Sequence, residues 1–398
     1  MYKISERIHY IGVNDEQKTL FEGLWPLPHG VSYNSYLIKD EKTALIDTVE
    51  HGFEDEFISN ITSCINDGNI DYLVVNHMEP DHSSLISMIL ERYPDLKIIA
   101  NAKTLPMLKG YHGVSEDRVK IVQEGESVSL GSCSLQFFMA PMVHWPETMV
   151  TWLPEENTLF SGDAFGTFGK IAQDPTDKAG TFDEFENEMR RYYSNIVGKY
   201  GNPVQSALKK LSSLEIKRIC STHGPIWAEN IDKVVSLYDR LSRYETEKGV
   251  CIVYGSMYGN TATAAKELAK ALENMGVPYA LHDLAGNDSS REDGLGISGA
   301  LMDVFKYDTI AVGSPTYNNG IFPPIETFMK ALSARLIKNR RFFAFGSYTW
   351  AGASVRLLNG MASEFGFEIL SDGGSFPQAF SKEKFNIEEA AVLLAGNK

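Results

Sequence analysis

Four short apolar runs in the first half of this chain each end on imidazole or carboxylate side chains, and that repetition constrains the fold more than any other feature. Tyr72-Leu73-Val74-Val75 leads into His77-Met78-Glu79-Pro80-Asp81-His82. Ser134–Met139 leads to His144, Thr158–Gly162 to Asp163, and Ile216–Ser221 to His223. Runs of this length and character read as buried β-strands. A lone histidine at a strand end is ordinarily a polar residue at the rim of a core. Four ends loaded in this way are different, because buried charged groups need partners. Strands of a sheet end on a common edge, so His77, Glu79, Asp81, His82, His144, Asp163 and His223 can converge. Their number suits two metal ions, with Asp163 able to bridge them. Imidazole and carboxylate without thiolate suit iron, zinc or manganese.

The surrounding pattern supports a sheet-rich first half. Ile8–Val13 and Ser32–Ile38 alternate apolar and polar residues as strands do, and Trp25–Gly30 between them reads as loop. His29 falls in that loop and reads as an ordinary loop histidine. Thr43–Thr48 is another strand, and Asp47 at its end fits either a turn residue or an anchor behind the ligands. A helix is expected over Phe53–Asp67, and further strands at Leu96–Ala100 and Val119–Val122. The stretch 77–82 reads as a loop between the strand Tyr72–Val75 and a helix starting near Ser83. His77 and Glu79, two apart in extended chain, point to one side. Pro80 then bends the chain so that Asp81 and His82 reach a second metal.

Composition narrows the function classes. The 398 residues favour two or more domains. A net charge of -15 argues against a nucleic-acid backbone as partner. No run reaches the roughly 18 apolar residues of a membrane span. The cysteines, Cys64, Cys133, Cys220 and Cys251, are scattered and form neither a disulfide framework nor a zinc ribbon. With no signal-like start, the expected compartment is the cytoplasm.

A second domain is expected from residue 249, giving 1–248 and 249–398. Helical periodicity over Ala228–Tyr244 runs into the charged Glu245–Lys248, and a new strand, Val250–Tyr254, follows. Strands then alternate with helices: Tyr279–Leu284, Thr309–Pro315, a helix over Ile325–Leu336, and Arg341–Ser347. That rhythm implies a parallel doubly wound sheet with its ligand at the carboxyl ends of the strands. Three loops lie there. They are Ser256-Met257-Tyr258-Gly259-Asn260-Thr261, Ser314-Pro315-Thr316-Tyr317-Asn318-Asn319-Gly320, and Ser347-Tyr348-Thr349-Trp350-Ala351-Gly352. The first, placed between strand and helix, offers hydroxyls, free N–H groups and a helix N-terminus to a phosphate. It lacks the Gly-Lys-Ser/Thr of a Walker loop. The aromatics of the other loops suit a flat ring.

These motifs resemble known families. The order H-x-E-x-D-H, His, Gly-Asp, His-Gly resembles the metallo-β-lactamase fold, an αββα sandwich with metals at one edge. Hydrolases of that fold usually carry histidine where Glu79 stands. A carboxylate there adds charge and a harder donor, shifting preference toward iron, and it resembles the flavodiiron proteins. The resemblance implies one iron on His77, Glu79 and His144, the other on Asp81, His82 and His223, and Asp163 bridging. In some members the residue at His82's place stands off the metal. The three later loops resemble flavodoxin, with strand order 2-1-3-4-5. That resemblance puts the phosphate of FMN on residues 256–261 and the flavin ring between the other two loops. Thr349 and Ala353 stand where flavodoxin-like loops usually carry glycine.

The whole chain therefore resembles a two-module flavodiiron protein, ending at Lys398 without a fused rubredoxin or flavin-reductase tail. The resemblance implies reduction of O₂ to water, of NO to N₂O, or both, with FMN and a non-haem diiron pair as cofactors. Rubredoxin is the family's commonest donor, and a deazaflavin serves in some relatives. A head-to-tail homodimer, or a dimer of dimers, is implied as well. Two rival readings stand beside it: a zinc hydrolase with a fused flavodoxin module, and a non-catalytic flavin electron carrier or redox sensor with a structural metal site.

Overall fold

The computed structural model describes residues 1–66, 68–286 and 294–396. The chain divides into two compact units, one of Met1–Gly23 with Leu27–Ser242, the other of Leu24–Pro26 with the chain from Arg243 onward.

The first unit is a sandwich of two sheets. One has seven strands, in the spatial order Tyr2–Lys3, Ile8–Tyr10, Tyr36–Lys39, Thr43–Ile46, Tyr72–Val74, Lys97–Ala100 and Val119–Ile121. The other has five: Ser127–Ser129, Ser134–Met139, Met149–Leu153, Thr158–Gly162 and Arg218–Ser221. Ile46, Val74 and Ile99 of the first sheet meet Met149, Phe160 and Cys220 of the second in one core. Thr43–Ile46, Tyr72–Val74 and Lys97–Ala100 run parallel, as do Thr158–Gly162 and Arg218–Ser221. Parallel neighbours end on the same side, which is how separate segments deliver their polar ends to one edge.

Several local features differ from expectation. Residues 80–83 are a helical turn, so Asp81 and His82 sit on a helix and not in a loop. Pro80 occupies its first position, where a fixed φ and a missing N–H cost nothing. The following helix starts at Ile86. The helix expected over Phe53–Asp67 runs Glu54–Ile65, and Asp67 lies outside the described residues. Trp25–Pro26, expected as loop, is a two-residue strand.

The second unit is a parallel sheet in the spatial order Tyr279–Asp283, Glu247–Tyr254, Tyr307–Gly313, Arg341–Tyr348. The last position is shared by two short strands, Glu368–Ile369 and Gly374–Pro377, both paired with Arg341–Tyr348. This is the expected order 2-1-3-4-5. The helix Asn260–Asn274 buries Thr261, Ala264, Ala265, Leu268, Ala269 and Leu272, a single stripe at helical period. The helix expected over Ile325–Leu336 begins two residues earlier, at Pro323. Again proline serves as the first helical residue.

Among the described residues no helix is long and apolar enough to cross a membrane. All four cysteines are free and buried.

Candidate metal centre and cofactor cleft

The seven predicted ligand side chains meet at one edge of the first unit, all buried. They form two groups. His77, Glu79, His144 and Asp163 make the first, and Asp81, His82 and His223 with Asp163 the second; the two overlap, because His77 also lies with Asp81 and His82. In the first, His144 Nε2 lies 2.8 Å from Glu79 Oε2 and 3.0 Å from Asp163 Oδ2, and His77 Nε2 lies 3.2 Å from Asp163 Oδ2. In the second, Asp81 Oδ2 lies 3.3 Å from the Nε2 atoms of both His82 and His223. Asp163 presents Oδ2 to the first group and Oδ1 to the second, 3.6 Å from His82 Nε2.

The polar atoms of this cluster are poorly satisfied by protein alone. Both ring nitrogens of His77, both carboxylate oxygens of Asp81, His82 Nδ1 and Asp163 Oδ2 are buried without a hydrogen-bond partner. Orphaned buried polar atoms are rare in folded proteins. Here they converge with the donor set of a metal site, so the residues fit a pair of divalent ions.

Burial opposes charge on every one of these groups. At His77 and His144 the carboxylates of Asp163 and Glu79 outweigh it, lifting His77 well above the ordinary imidazole range and His144 to about 10. The same imidazoles hold Glu79 and Asp163 below the usual carboxylate range against burial. Burial and the nearby Glu79 push Asp81 up to about 7. Burial and the facing His223 push His82 well below its usual range. The protons on His77 and His144 are ones that a metal would displace.

A supporting layer orients these side chains. His223 Nδ1 pairs with the carbonyl of Ser32 at 2.7 Å, which makes Nδ1 the donor and turns a bare Nε2 inward. The Thr222 hydroxyl donates to Asp163 Oδ1 at 2.6 Å. Asp47 is an anchor: its two oxygens accept the backbone and side-chain N–H groups of Asn76, each at 2.8 Å. Thr151 donates to Asn76 Oδ1. The Tyr192 ring lies 5.4 Å from that of His223, tilted by 50°, just before a π-helical turn, Tyr193–Val197. Burial and the nearby carboxylates keep its hydroxyl protonated. Sequence reasoning missed Asn76, Thr151, Thr222, Glu147 and Tyr192. Asn76 and Thr222 adjoin ligands, and that adjacency was their available signal. His29 is not among the converging side chains.

In the second unit the three predicted loops enclose a cleft of about 360 Å³, to which Gln378 is an addition. Gly259 opens the helix Asn260–Asn274 with φ +88°, and a side chain there would meet nothing within 4 Å. The N-terminus is therefore open to an anion. Asn318 and Asn319, both at positive φ, make the two-residue turn of a hairpin pairing Thr316–Tyr317 with Gly320–Ile321. The Thr316 hydroxyl accepts the N–H groups of Ala353 and Ser354, tying the second loop to the third. Thr261 and Ser314 are buried behind the lining, and Gly259, Gly320 and Gly352 are not part of it. Thr261 meets Ser347 at 3.0 Å, and Ser314 accepts the N–H of Phe322. Tyr258 and Trp350 are 89% and 87% exposed, a pair of aromatic faces at the cleft. Cleft, anion-receptive helix end and aromatic faces fit a phosphorylated flat-ring cofactor. Neither Thr349 nor Ala353 has a positive φ, so the glycines they replace are not required by this backbone.

Comparison with known proteins agrees. The family described as ODP family beta lactamase matches residues 31–224, and Flavodoxin matches residues 252–388. The anaerobic nitric oxide reductase flavorubredoxin of Vibrio vulnificus is 33% identical over 372 residues, 92% of this chain and 73% of that one. The rubredoxin oxygen:oxidoreductase of Desulfovibrio gigas superposes with a TM-score of 0.92 at 28% identity, over 99% of this chain and 97% of that one. The flavodiiron protein of Giardia intestinalis does so with 0.90 at 26% identity, over 99% and 95%. The chain belongs to the flavodiiron proteins, flavin- and diiron-dependent oxidoreductases.

Proposed function

We propose that this protein reduces O₂ to water, NO to N₂O, or both, at two iron ions held by the buried cluster, with electrons entering through FMN. The observation that carries the reading is Asp163, whose two oxygens face two separate His/carboxylate groups. On this reading His77, Glu79 and His144 hold one iron, Asp81, His82 and His223 the other, and Asp163 bridges. Glu79 supports iron over zinc by adding a hard anionic donor. The loops 256–261, 314–320 and 347–352 hold FMN, the first at its phosphate and the others around its ring.

When bound, iron and flavin supply two electrons each, so together they can take O₂ to water, and two electrons suffice to turn two NO into N₂O. The protein's own part is positional. Ser32 fixes the ring of His223, Thr222 fixes Asp163, and Asp47 with Thr151 fixes the backbone beside His77. Burial of all seven side chains excludes bulk water from the centre. Rubredoxin is the proposed donor, a head-to-tail homodimer or dimer of dimers the proposed assembly, and detoxification of O₂ or NO the proposed role. The proposed compartment is the cytoplasm, where four buried free thiols would stay reduced.

The test is to measure iron, zinc and FMN per chain, then follow O₂ and NO loss with chemically reduced rubredoxin as donor. Two irons and one FMN with either gas consumed support the reading. A full iron load with neither gas consumed overturns it. Zinc in place of iron, with ester or phosphodiester hydrolysis, would establish the hydrolase instead.

A further inference from the structure

Glu147 is a buried carboxylate outside the ligand set. It is 1% exposed. Its Oε1 accepts the backbone N–H of Met78 at 2.9 Å. Met78 lies between His77 and Glu79, and its carbonyl in turn accepts the Ser83 hydroxyl at 2.9 Å. The backbone N–H groups of the two residues flanking His77 are thus each held by a carboxylate, Asn76 by Asp47 and Met78 by Glu147. Glu147 is also three residues after His144, on the same loop. Its own carbonyl accepts the side-chain amide of Asn101, which fixes that loop from behind. One side chain therefore couples the segment carrying His77 and Glu79 to the segment carrying His144. Its second oxygen, Oε2, is buried with no hydrogen-bond partner. Leaving a buried carboxylate oxygen unmatched is costly, and an apolar residue would avoid that cost.

We infer that Glu147 is a positioning residue for the first metal subsite, setting the separation of His77 and Glu79 from His144 through its hydrogen bond to Met78. It does so as an acceptor of fixed reach, and its charge is incidental. The inference rests on reading His77, Glu79 and His144 as one subsite. A glutamine at 147 keeps an acceptor oxygen at the same reach. An aspartate keeps the charge but is one carbon–carbon bond, about 1.5 Å, shorter, and cannot reach Met78 from the same backbone.

The experiment titrates metal-free protein with Co²⁺, reading ligand-field absorption and bound metal per chain for wild type, Glu147→Gln and Glu147→Asp. Wild type is expected to bind two ions. Glu147→Gln should match it within a few-fold. Glu147→Asp should lose roughly 10- to 100-fold in affinity for one ion, as outer-layer partners of metal ligands typically do, with the second ion's spectrum intact. Both variants are conservative, and thermal melting of the metal-free forms separates misfolding from lost positioning. Unchanged binding by Glu147→Asp overturns the inference. So does a Glu147→Gln as impaired as Glu147→Asp, which would show that reach without charge does not suffice. Wild type that binds no Co²⁺ would instead overturn the metal-site reading itself.

Discussion

The Nε2 atoms of His82 and His223 lie 2.9 Å apart, both fully buried. With His223 Nδ1 committed to the Ser32 carbonyl, the neutral ring carries no proton on Nε2. In the metal-free protein the Nε2–H of His82 donates to that bare nitrogen, and on the proposed reading the same two nitrogens would address one metal ion when it is bound. His223→Ala should therefore abolish one of two bound metals and spare the other. His144→Ala should remove the complementary one. Metal analysis of the single variants and of the pair checks this, the pair being expected to bind neither ion. Loss of both metals from either single variant would mean that the subsites are not separable.

The charges at the first subsite predict a pH dependence with a definite sign. His144 is raised to about 10 and His77 well above its ordinary value, chiefly by Asp163 and Glu79 overcoming burial. Both imidazoles of the metal-free protein are thus protonated at neutral pH and must lose those protons to ligate. Metal binding should release protons, and apparent affinity should rise with pH by up to about 100-fold per unit if both protons leave. Unfolded histidine titrates near 6.5. The stabilisation from these protonated pairs is therefore complete below about 6.5 and lost as pH rises through about 10. Metal-free protein should melt at lower temperature in alkaline buffer, whereas metal-loaded protein should not. Calorimetric titration in two buffers of different ionisation enthalpy counts the protons released.

The convergence of the seven side chains was legible because they follow the ends of four apolar strands that open on one edge. The strand–helix rhythm of the second unit implied a parallel doubly wound sheet, and its order came from the resemblance of the three loops to flavodoxin. What stayed hidden is non-local. Glu147 reaches Met78 across 69 positions and Thr151 reaches Asn76 across 75. No periodicity or spacing encodes such a pair. Asp47 was ambiguous for the same reason, since only the neighbouring strand reveals its role. The helical turn at Pro80 was available locally, because proline favours the first helical position, but the ligand pattern read more naturally as loop. The π-helical turn at Tyr193 had no local signal at all.

Trp350 is 87% exposed beside the cleft. Trp350→Ala should leave the melting temperature of the cofactor-free protein nearly unchanged, since exposed truncations cost within about 0.5 kcal/mol. Loss of a stacking face worth about 0.5–1.5 kcal/mol should weaken FMN binding roughly 2- to 10-fold. Fluorescence titration of cofactor-free protein with FMN reads the change. Unaltered affinity would place the ring away from Trp350.

Two glycines of the second unit should respond oppositely to the same substitution. At Gly346, in the strand leading to the third loop, a Cβ would clash with the carbonyl oxygen of Ser314. That oxygen also accepts the Ser354 hydroxyl at 2.8 Å, so the second loop cannot retreat without breaking its tie to the third. Gly346→Ala should cost about 1–3 kcal/mol through overpacking and lower FMN occupancy, because the strand ends that frame the cleft must separate. Gly360 lies exposed within the helix Ser354–Glu364, and its Cβ would meet nothing within 4 Å. There alanine relieves only the unfolded chain's excess freedom, so Gly360→Ala should stabilise by about 0.5–1 kcal/mol and leave FMN binding untouched. Denaturant titration of the two variants, each with and without FMN, tests the contrast. Equal stability changes at the two positions would mean that the close approach of Gly346 to Ser314 does not hold the loops in register.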